Sequence, residues 1–184
     1  MKLLLAITGA SGVVYGERLL KELSKIEDIQ TEVVISEAGE VLLEQESETD
    51  VDDLISIPEK SYKADDLAAP PASGSSLYDA VLIVPCSVST LSKIASGIAD
   101  NLITRSASVA MKEGRKLILV PRETPLSTTV LRNMYDLSKD GVVILPAAPG
   151  FYGGPEDIED LVNFIVGKIL DTLGIENDVY ERWD

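Results

Sequence analysis

Five short apolar runs constrain the fold of this chain more than any other feature of its sequence. They occupy residues 3–7, 32–35, 80–84, 117–120 and 142–145 and consist almost entirely of Val, Ile, Leu and Ala. Apolar residues that follow one another without alternation are typical of strands buried on both faces, as in a parallel sheet. We therefore predict five buried strands.

Apolar residues recur at helical spacing between these runs. Leu19, Leu20 and Leu23 form a stripe after Gly12, and a second stripe spans residues 158–169. Alternating strands and helices predict an α/β fold, namely a single-domain, Rossmann-like three-layer sandwich with a mostly parallel sheet. We expect residues 1–184 to form one domain.

The connection between the second and third runs, residues 37–79, is too long for one helix. It contains an acidic helix candidate at 37–46, a polar stretch, and the turn-rich segment 69–76. A long loop within a compact domain is either functional or disordered, so we expect the polar part of this connection to be a functional loop or a disordered segment.

Composition excludes several classes of function. The chain has 31 acidic and 16 basic residues, no histidine, and a net charge of −15. This balance argues against a nucleic-acid partner, because nucleic-acid-binding proteins carry a basic footprint. The lack of histidine removes Ser-His-Asp and Cys-His mechanisms and His-ligated metal sites. The single cysteine, Cys86, allows neither an intrachain disulfide nor a Cys-rich zinc site, and we interpret it as a small buried residue.

No stretch of the sequence has the ~18 consecutive apolar residues that a membrane span requires. The apolar run 3–7 leads directly into Thr8 and Gly9 without a cleavage-type segment, so it is better explained as a buried strand than as a secretory signal. We expect a soluble, cytoplasmic protein with no membrane partner.

Charge is unevenly distributed along the chain. Residues 22–66 contain 15 acidic and 3 basic residues, whereas residues 67–122 contain 3 acidic and 6 basic ones. The first block is typical of a solvated face. The second block would attract an anionic ligand.

The turn that follows the first strand is a candidate phosphate site. Residues 8–12 read Thr-Gly-Ala-Ser-Gly and lead into a helix, whose free N–H groups and partial positive charge favour an anion. The segment lacks the lysine of a P-loop and the spacing of GxGxxG. A tight strand–helix turn without a ligand is the alternative interpretation.

Small or polar residues follow the other predicted strands as well. In an open parallel sheet the ligand binds beyond the carboxyl ends of the strands, so these segments should meet at one edge. They are Ser36 and the segments 85–90, 121–125 and 146–154, three of which begin with proline. A single Ser or Thr at a helix start is usually only an N-cap, so the prediction depends on their convergence.

Four charged residues are candidates for chemistry at this edge. Arg122 and Glu123 lie between two prolines, where they would form an anion clamp beside a general acid/base. The alternative is a surface ion pair of little energetic consequence. Arg105 and Lys112 are seven residues apart on a helix predicted to begin near Asn101, which places them on one helical face.

Six segments, in this order over nearly the whole chain, resemble the UbiX/Pad-type flavin prenyltransferases, which share a flavoprotein superfamily with FMN-dependent cysteine decarboxylases. The segments are 8–12 (TGASG), 69–75 (APPASGS), 85–87 (PCS), 99–102 (ADNL), 119–126 (LVPRETPL) and 145–152 (LPAAPGFY). The glycine turn alone is unspecific, but the ordered set is highly specific.

The resemblance implies a reaction and its partners. Reduced FMN and dimethylallyl phosphate would be bound, and the dimethylallyl group would be joined to flavin N5 and C6 without a metal. The product, prenylated FMN, would serve UbiD-type decarboxylases. A homo-oligomer, dodecameric in known relatives, is also implied, with the flavin near a subunit boundary.

The resemblance also implies two sets of site residues. The flavin-contacting set is Gly9, Ala10, Ser11, Ser36, Ser87, Val88, Ser89, Thr90 and Arg105. The prenyl-phosphate and catalytic set is Glu46, Lys112, Arg122, Glu123, Tyr152 and Lys168. The chemistry agrees, because cations and a hydroxyl can stabilise a leaving phosphate while carboxylates move protons. No Asp-rich Mg²⁺ motif occurs at this edge, which favours a monophosphate donor over a diphosphate.

Some residues depart from the family pattern, and other functions stay open. Lys168 stands where many relatives have Arg, which keeps the charge but not the bidentate geometry. Leu67 stands where some relatives have Trp, and the lack of histidine disfavours a cysteine decarboxylase.

One alternative is an NAD(P)-dependent short-chain-type oxidoreductase, for which the glycine turn and the YxxxK sequence from Tyr135 to Lys139 are the signals. The other is a non-catalytic FMN-binding protein.

Overall fold

The computed structural model describes residues 1–183. These residues build a six-stranded parallel sheet with the strand order β3-β2-β1-β4-β5-β6. The strands are β1 (Lys2–Ile7), β2 (Gln30–Ile35), β3 (Lys60–Lys63), β4 (Ala80–Cys86), β5 (Lys116–Pro121) and β6 (Val143–Ile144). The predicted α/β sandwich is confirmed, and five of the strands coincide with the apolar runs.

Helices cover both faces of the sheet. They are α1 (Val14–Leu23), α2 (Glu37–Glu46), α3 (Val51–Ile55), α4 (Val88–Ala95), α5 (Leu102–Lys112), α6 (Thr128–Lys139) and α7 (Ile158–Leu173), with a 3-10 turn at Pro70–Ala72. Helices α1 and α7 pack together on one face, and α4, α5 and α6 pack on the other. Helix α2 has the predicted bounds, and α5 begins near Asn101 as predicted, with Asn101 as its N-cap.

The two layers of core explain why the strands read as continuous apolar runs. In β1, Leu3, Leu5 and Ile7 face the α1–α7 side, whereas Leu4 and Ala6 face the α4–α6 side, and all five are fully buried. Each large side chain buried in this way contributes about 1.5–3 kcal/mol. An alternating pattern would have placed polar groups against one of the helical layers.

No apolar run predicted β3, which lies at the edge of the sheet in the polar part of the long connection 37–79. Its residues Lys-Ser-Tyr-Lys are mostly polar, as suits an edge strand that must not recruit another chain. The Tyr62 and Tyr78 hydroxyls donate to Glu32, and Lys2 Nζ lies 3.2 Å from the same carboxylate. The pair β2–β3 is thus joined by side chains as well as by the ladder.

None of the helices within residues 1–183 combines the length and the apolar character needed to cross a bilayer.

Candidate active site

A cavity of about 410 Å³ opens beyond the carboxyl ends of β1, β2, β4 and β5. The strand order reverses between β1 and β4, so the segments leaving these two strands diverge and open a crevice. The lining residues are Thr8, Gly9, Ala10, Ser11, Ser36, Ala38, Ser87, Val88, Ser89, Thr90, Arg122 and Glu123. This set includes every predicted flavin-contacting residue except Arg105, together with two of the predicted catalytic residues.

The glycine turn lies directly against the first turn of α2. A Cβ on Gly9 would lie 2.4 Å from the Ala38 Cβ, so only glycine permits this approach. Gly12 has a φ of +98°, a conformation that L-residues with side chains rarely adopt. Gly9 therefore lets the end of β1 and the start of α2 meet at the same wall of the cavity, and Gly12 provides the sharp turn that follows.

Thr8 joins the ends of β1 and β4. Its side chain is buried, with a relative exposure of 2%, and its Oγ1 donates to the Pro85 carbonyl at 2.7 Å. The same oxygen accepts the Ser87 N–H at 2.9 Å. Sequence reasoning did not identify this role, because a threonine after a buried strand carries no distinctive signal.

Two helices begin at the cavity wall with serine N-caps. Ser36 accepts the Gly39 N–H at 3.1 Å, and Ser87 accepts the Thr90 N–H at 3.2 Å while donating to the Thr90 hydroxyl at 3.0 Å. Unpaired N–H groups and the helix dipoles make the starts of α2 and α4 favourable for an anion. The cavity thus offers a neutral, hydroxyl-rich wall suited to a phosphate.

Opposite charges stand at the rim of the cavity. Arg122 Nε donates to the Ser11 carbonyl at 2.8 Å, which fixes the guanidinium stem beside the glycine turn. Glu123 accepts the Thr124 N–H at 3.0 Å. The predicted catalytic residue Glu46 is exposed and does not line the cavity; it accepts the N–H of Gly12, the residue after the cavity-lining Ser11, at 2.7 Å. Arg122 makes no ion pair within residues 1–183, so the interpretation as a surface ion pair is wrong.

Arg105 and Lys112 lie away from this cavity. They share the face of α5 that meets the segment 69–76, as their spacing predicted. Arg105 Nε donates to the Ala72 carbonyl at 3.0 Å, and the Lys112 ammonium pairs with Glu113. The lysine is half exposed, with a side-chain exposure of 52%.

The expectation that Tyr152 gathers at the same edge as the other strand-end residues is wrong within one subunit. Its ring packs edge-on against Phe164 at 5.7 Å and Trp183 at 5.2 Å. Lys168 is also elsewhere, with Nζ 5.7 Å from the Tyr180 ring centroid. The reason is that β6 lies at the edge of the sheet, and the segment after it packs on α7 and the C-terminal residues.

Asp171 anchors the C-terminal segment near these two residues. Arg182 Nη2 donates to its Oδ1 and the Tyr180 hydroxyl to its Oδ2, both at 2.7 Å. The Arg182 hydrogen bond is the main cause that lowers the pKa of Asp171 to about 2. The sequence contained no signal for this anchor, since its partners are on the far side of a turn.

Other candidates do not reach the cavity. Cys86 is fully buried, and burial raises the pKa of its thiol far above the ordinary value, in agreement with a packing role. Tyr135 is 62% exposed on α6 with Lys139 beside its ring, and neither residue lines the cavity. Within residues 1–183 no group of three potential metal ligands occurs.

The Flavoprotein family matches residues 1–170, and the chain belongs to it. The matched residues include all those that line the switch-point cavity. Over its full length the chain is 48% identical to the flavin prenyltransferase UbiX of Thermoplasma acidophilum, all of which is covered in a 183-residue alignment. Within the Flavoprotein family, the chain is thus one of the UbiX-type flavin prenyltransferases.

Two solved structures are similar over the whole chain. One is a dodecameric FMN-dependent UbiX-like decarboxylase from Escherichia coli O157:H7, with a TM-score of 0.98, 41% identity and full coverage of both chains. The other is AnUbiX (PadA1) in complex with FMN and dimethylallyl pyrophosphate, with a TM-score of 0.97 and 38% identity, covering 100% of this chain and 97% of that one.

Proposed function

We propose that this protein is a flavin prenyltransferase, which joins the dimethylallyl group of dimethylallyl phosphate to N5 and C6 of reduced FMN. The observation that carries the proposal is the cavity that collects Ser11, Ser36, Ser87, Arg122 and Glu123 at the switch point of the sheet. Its family membership supports the same reaction. The product, prenylated FMN, would be delivered to a UbiD-type decarboxylase in the cytoplasm.

The residues of the cavity fit FMN. The capped starts of α2 and α4 and the hydroxyls of Ser11, Ser89 and Thr90 provide neutral donors for the dianionic phosphate. Gly9 and Ala10 leave the backbone accessible to a flat ring. Reduced flavin supplies the two nucleophilic atoms, N5 and C6, and the protein supplies orientation and charge.

Arg122 and Glu123 would act on the prenyl donor. The arginine is held at the rim by the Ser11 carbonyl, where its charge can stabilise the departing phosphate. Glu123 lies beside it and can transfer a proton between the flavin and the phosphate. Glu46, which accepts the Gly12 N–H, is the second candidate for proton transfer.

We further propose that neighbouring subunits of a homo-oligomer supply Arg105, Lys112, Tyr152 and Lys168. Three features support this arrangement: none of the four lines the cavity of its own subunit, Tyr152 and its neighbour Phe151 are 45% and 70% exposed, and a similar solved protein is dodecameric. Phosphate-binding cations brought in by a neighbour would close the cavity against water.

The decisive experiment is anaerobic incubation of the protein with dithionite-reduced FMN and dimethylallyl phosphate. We expect a flavin heavier by one prenyl unit by mass spectrometry. The incubation is repeated with dimethylallyl diphosphate to identify the donor. Unchanged flavin mass with either donor would favour a non-catalytic FMN-binding protein, and tight NAD(P) binding without flavin affinity would favour an oxidoreductase.

Glu123→Gln tests the carboxylate. We expect this variant to bind FMN as tightly as the unmodified protein and to lose turnover, whereas Glu44→Gln, a change at an exposed position on α2, should retain both. Equal turnover in Glu123→Gln and Glu44→Gln would remove the proton-transfer role.

Mixing two inactive variants tests the shared site. Lys112→Ala and Glu123→Gln are each expected to be inactive, but after subunit exchange some cavities would combine an intact Glu123 with an intact neighbouring Lys112. Recovered turnover in the mixture supports the arrangement, and its absence after verified exchange would contradict it.

A further inference from the structure

The end of α2 is held by a buried carboxylate on α1. Glu17 is 7% exposed, and its Oε2 accepts the Ser47 hydroxyl at 2.6 Å. Its Oε1 accepts the Thr49 hydroxyl at 2.5 Å and Lys21 Nζ at 2.6 Å. One carboxylate thus ties two residues that follow α2 to the first turn of α1.

The same two segments meet at a second point nearer the cavity. Glu46 is the last residue of α2, immediately before Ser47, and it accepts the Gly12 N–H at 2.7 Å. Gly12 lies just before α1 begins at Val14. Two consecutive residues at the end of α2 are therefore held: the glycine turn binds Glu46, and Glu17 of α1 binds Ser47.

The apolar contacts of this end of α2 come from Leu43, which is fully buried, and from Leu42, which packs against the same core, whereas Val41 is 47% exposed. Ser47 closes the helix with its N–H on the Leu43 carbonyl, and its Oγ accepts the Thr49 N–H at 2.9 Å. The contacts to Glu17 add hydrogen bonds that hold the two residues after the helix, Ser47 and Thr49, against α1.

Burial by itself would raise the pKa of Glu17. The hydrogen bonds from Lys21, Ser47 and Thr49 outweigh burial and hold its pKa below the ordinary carboxyl value. The residue is therefore a charged acceptor at neutral pH, with every contact directed to the connection after α2 or to its own helix.

We propose that Glu17 is a positioning residue for Glu46: by accepting hydrogen bonds from Ser47 and Thr49, it holds the Glu46 carboxylate on the N–H of Gly12, the residue after the cavity-lining Ser11. The expected effect of Glu17 on turnover rests on the proposed function, prenyl transfer to FMN. Its structural part, the placement of Glu46, is independent of that reaction.

The first test is Glu17→Gln with Glu22→Gln as the matched control. Glu22 lies on the same helix and pairs with Arg18 and Lys25, away from α2. Hydrogen-exchange mass spectrometry should show faster exchange in peptides containing Gly12 and residues 43–49 in Glu17→Gln only. Unchanged exchange in those peptides would overturn the proposal, whatever the enzyme's activity.

The second test separates positioning from stability. We expect Glu17→Gln to lower kcat about tenfold or more with FMN affinity unchanged, as a small misplacement of a catalytic group does. In a Glu46→Gln background the same change should have no further effect on kcat. An equal loss of kcat in both backgrounds would indicate a general structural role and overturn the proposal.

A further variant guards against misfolding. Ser47→Ala combined with Thr49→Val removes the two hydroxyl donors but leaves Glu17 paired with Lys21. It should reproduce the faster exchange and the fall in kcat, and wild-type behaviour would count against the proposal. If the unmodified protein leaves the flavin unchanged, the proposed function fails, and the exchange experiment alone decides the placement of Glu46.

Discussion

Replacing Thr8 by Val tests how the two central strands are held together at the cavity. The change keeps the branched shape but removes the Oγ1 that accepts the Ser87 N–H at 2.9 Å and donates to the Pro85 carbonyl at 2.7 Å. The Pro85 carbonyl keeps the Thr8 N–H at 3.3 Å, whereas the Ser87 N–H loses the acceptor it has in this structure. The Ser87 N–H is only part-buried, so the cost is that of the two hydrogen bonds lost, at about 0.5–1.5 kcal/mol each, and we expect a loss of about 2 kcal/mol.

For a domain of this size, that loss corresponds to a fall in Tm of roughly 4–8 °C. Calorimetry at one fixed protein concentration measures it, because the stability of the proposed oligomer would depend on concentration. Because Ser87 begins α4 at the cavity wall, FMN affinity should also weaken, by about tenfold or ~1.4 kcal/mol. Thr8→Ser keeps the hydroxyl and should lose much less of both. If Thr8→Val and Thr8→Ser behave alike, the account of this contact is wrong.

Three other perturbations follow from the described contacts. Gly9→Ala places a Cβ 2.4 Å from the Ala38 Cβ, so α2 must move; we expect a loss of about 1–3 kcal/mol by urea denaturation and weaker FMN binding. Asp171→Asn removes the charge that holds the C-terminal segment, so the fluorescence anisotropy of Trp183, the single tryptophan, should fall at neutral pH. Burial opposes the charge of Glu32, but hydrogen bonds from two tyrosines and a lysine hold its pKa below the ordinary carboxyl value. The ionised Glu32 therefore stabilises the folded state at any pH above the ordinary carboxyl pKa, and this contribution is lost as the pH falls through the lower pKa of the folded state. Urea midpoints between pH 7 and pH 3 should therefore fall less steeply in Glu32→Gln.

Matched variants separate these effects from general damage. Gly153→Ala introduces a Cβ no closer than 3.4 Å to its neighbours and should leave stability unchanged. Asp178→Asn, at an exposed position in the same C-terminal segment, should leave the anisotropy of Trp183 unchanged. Equal effects in Gly9→Ala and Gly153→Ala, or in Asp171→Asn and Asp178→Asn, would contradict the proposed contacts.

The prediction of the site depended on convergence rather than on any single motif. The segments after β1, β2, β4 and β5 do line one cavity, because parallel strands end at a common edge. The prediction failed for Tyr152, which follows β6. That strand lies at the margin of the sheet, and the residues after it pack on α7 instead of turning toward the switch point.

Periodicity and local chemistry alone determined the apolar strands, the acidic helix α2 and the N-caps at Ser36 and Ser87, since each depends on residues close together along the chain. The edge strand β3, the Thr8 contact between β1 and β4, and the hold of Glu17 on the end of α2 were decided by the tertiary structure. Each of these joins polar groups that are distant in sequence, and such pairs leave no periodic pattern. Their partners are fixed only when the sheet order brings the segments together.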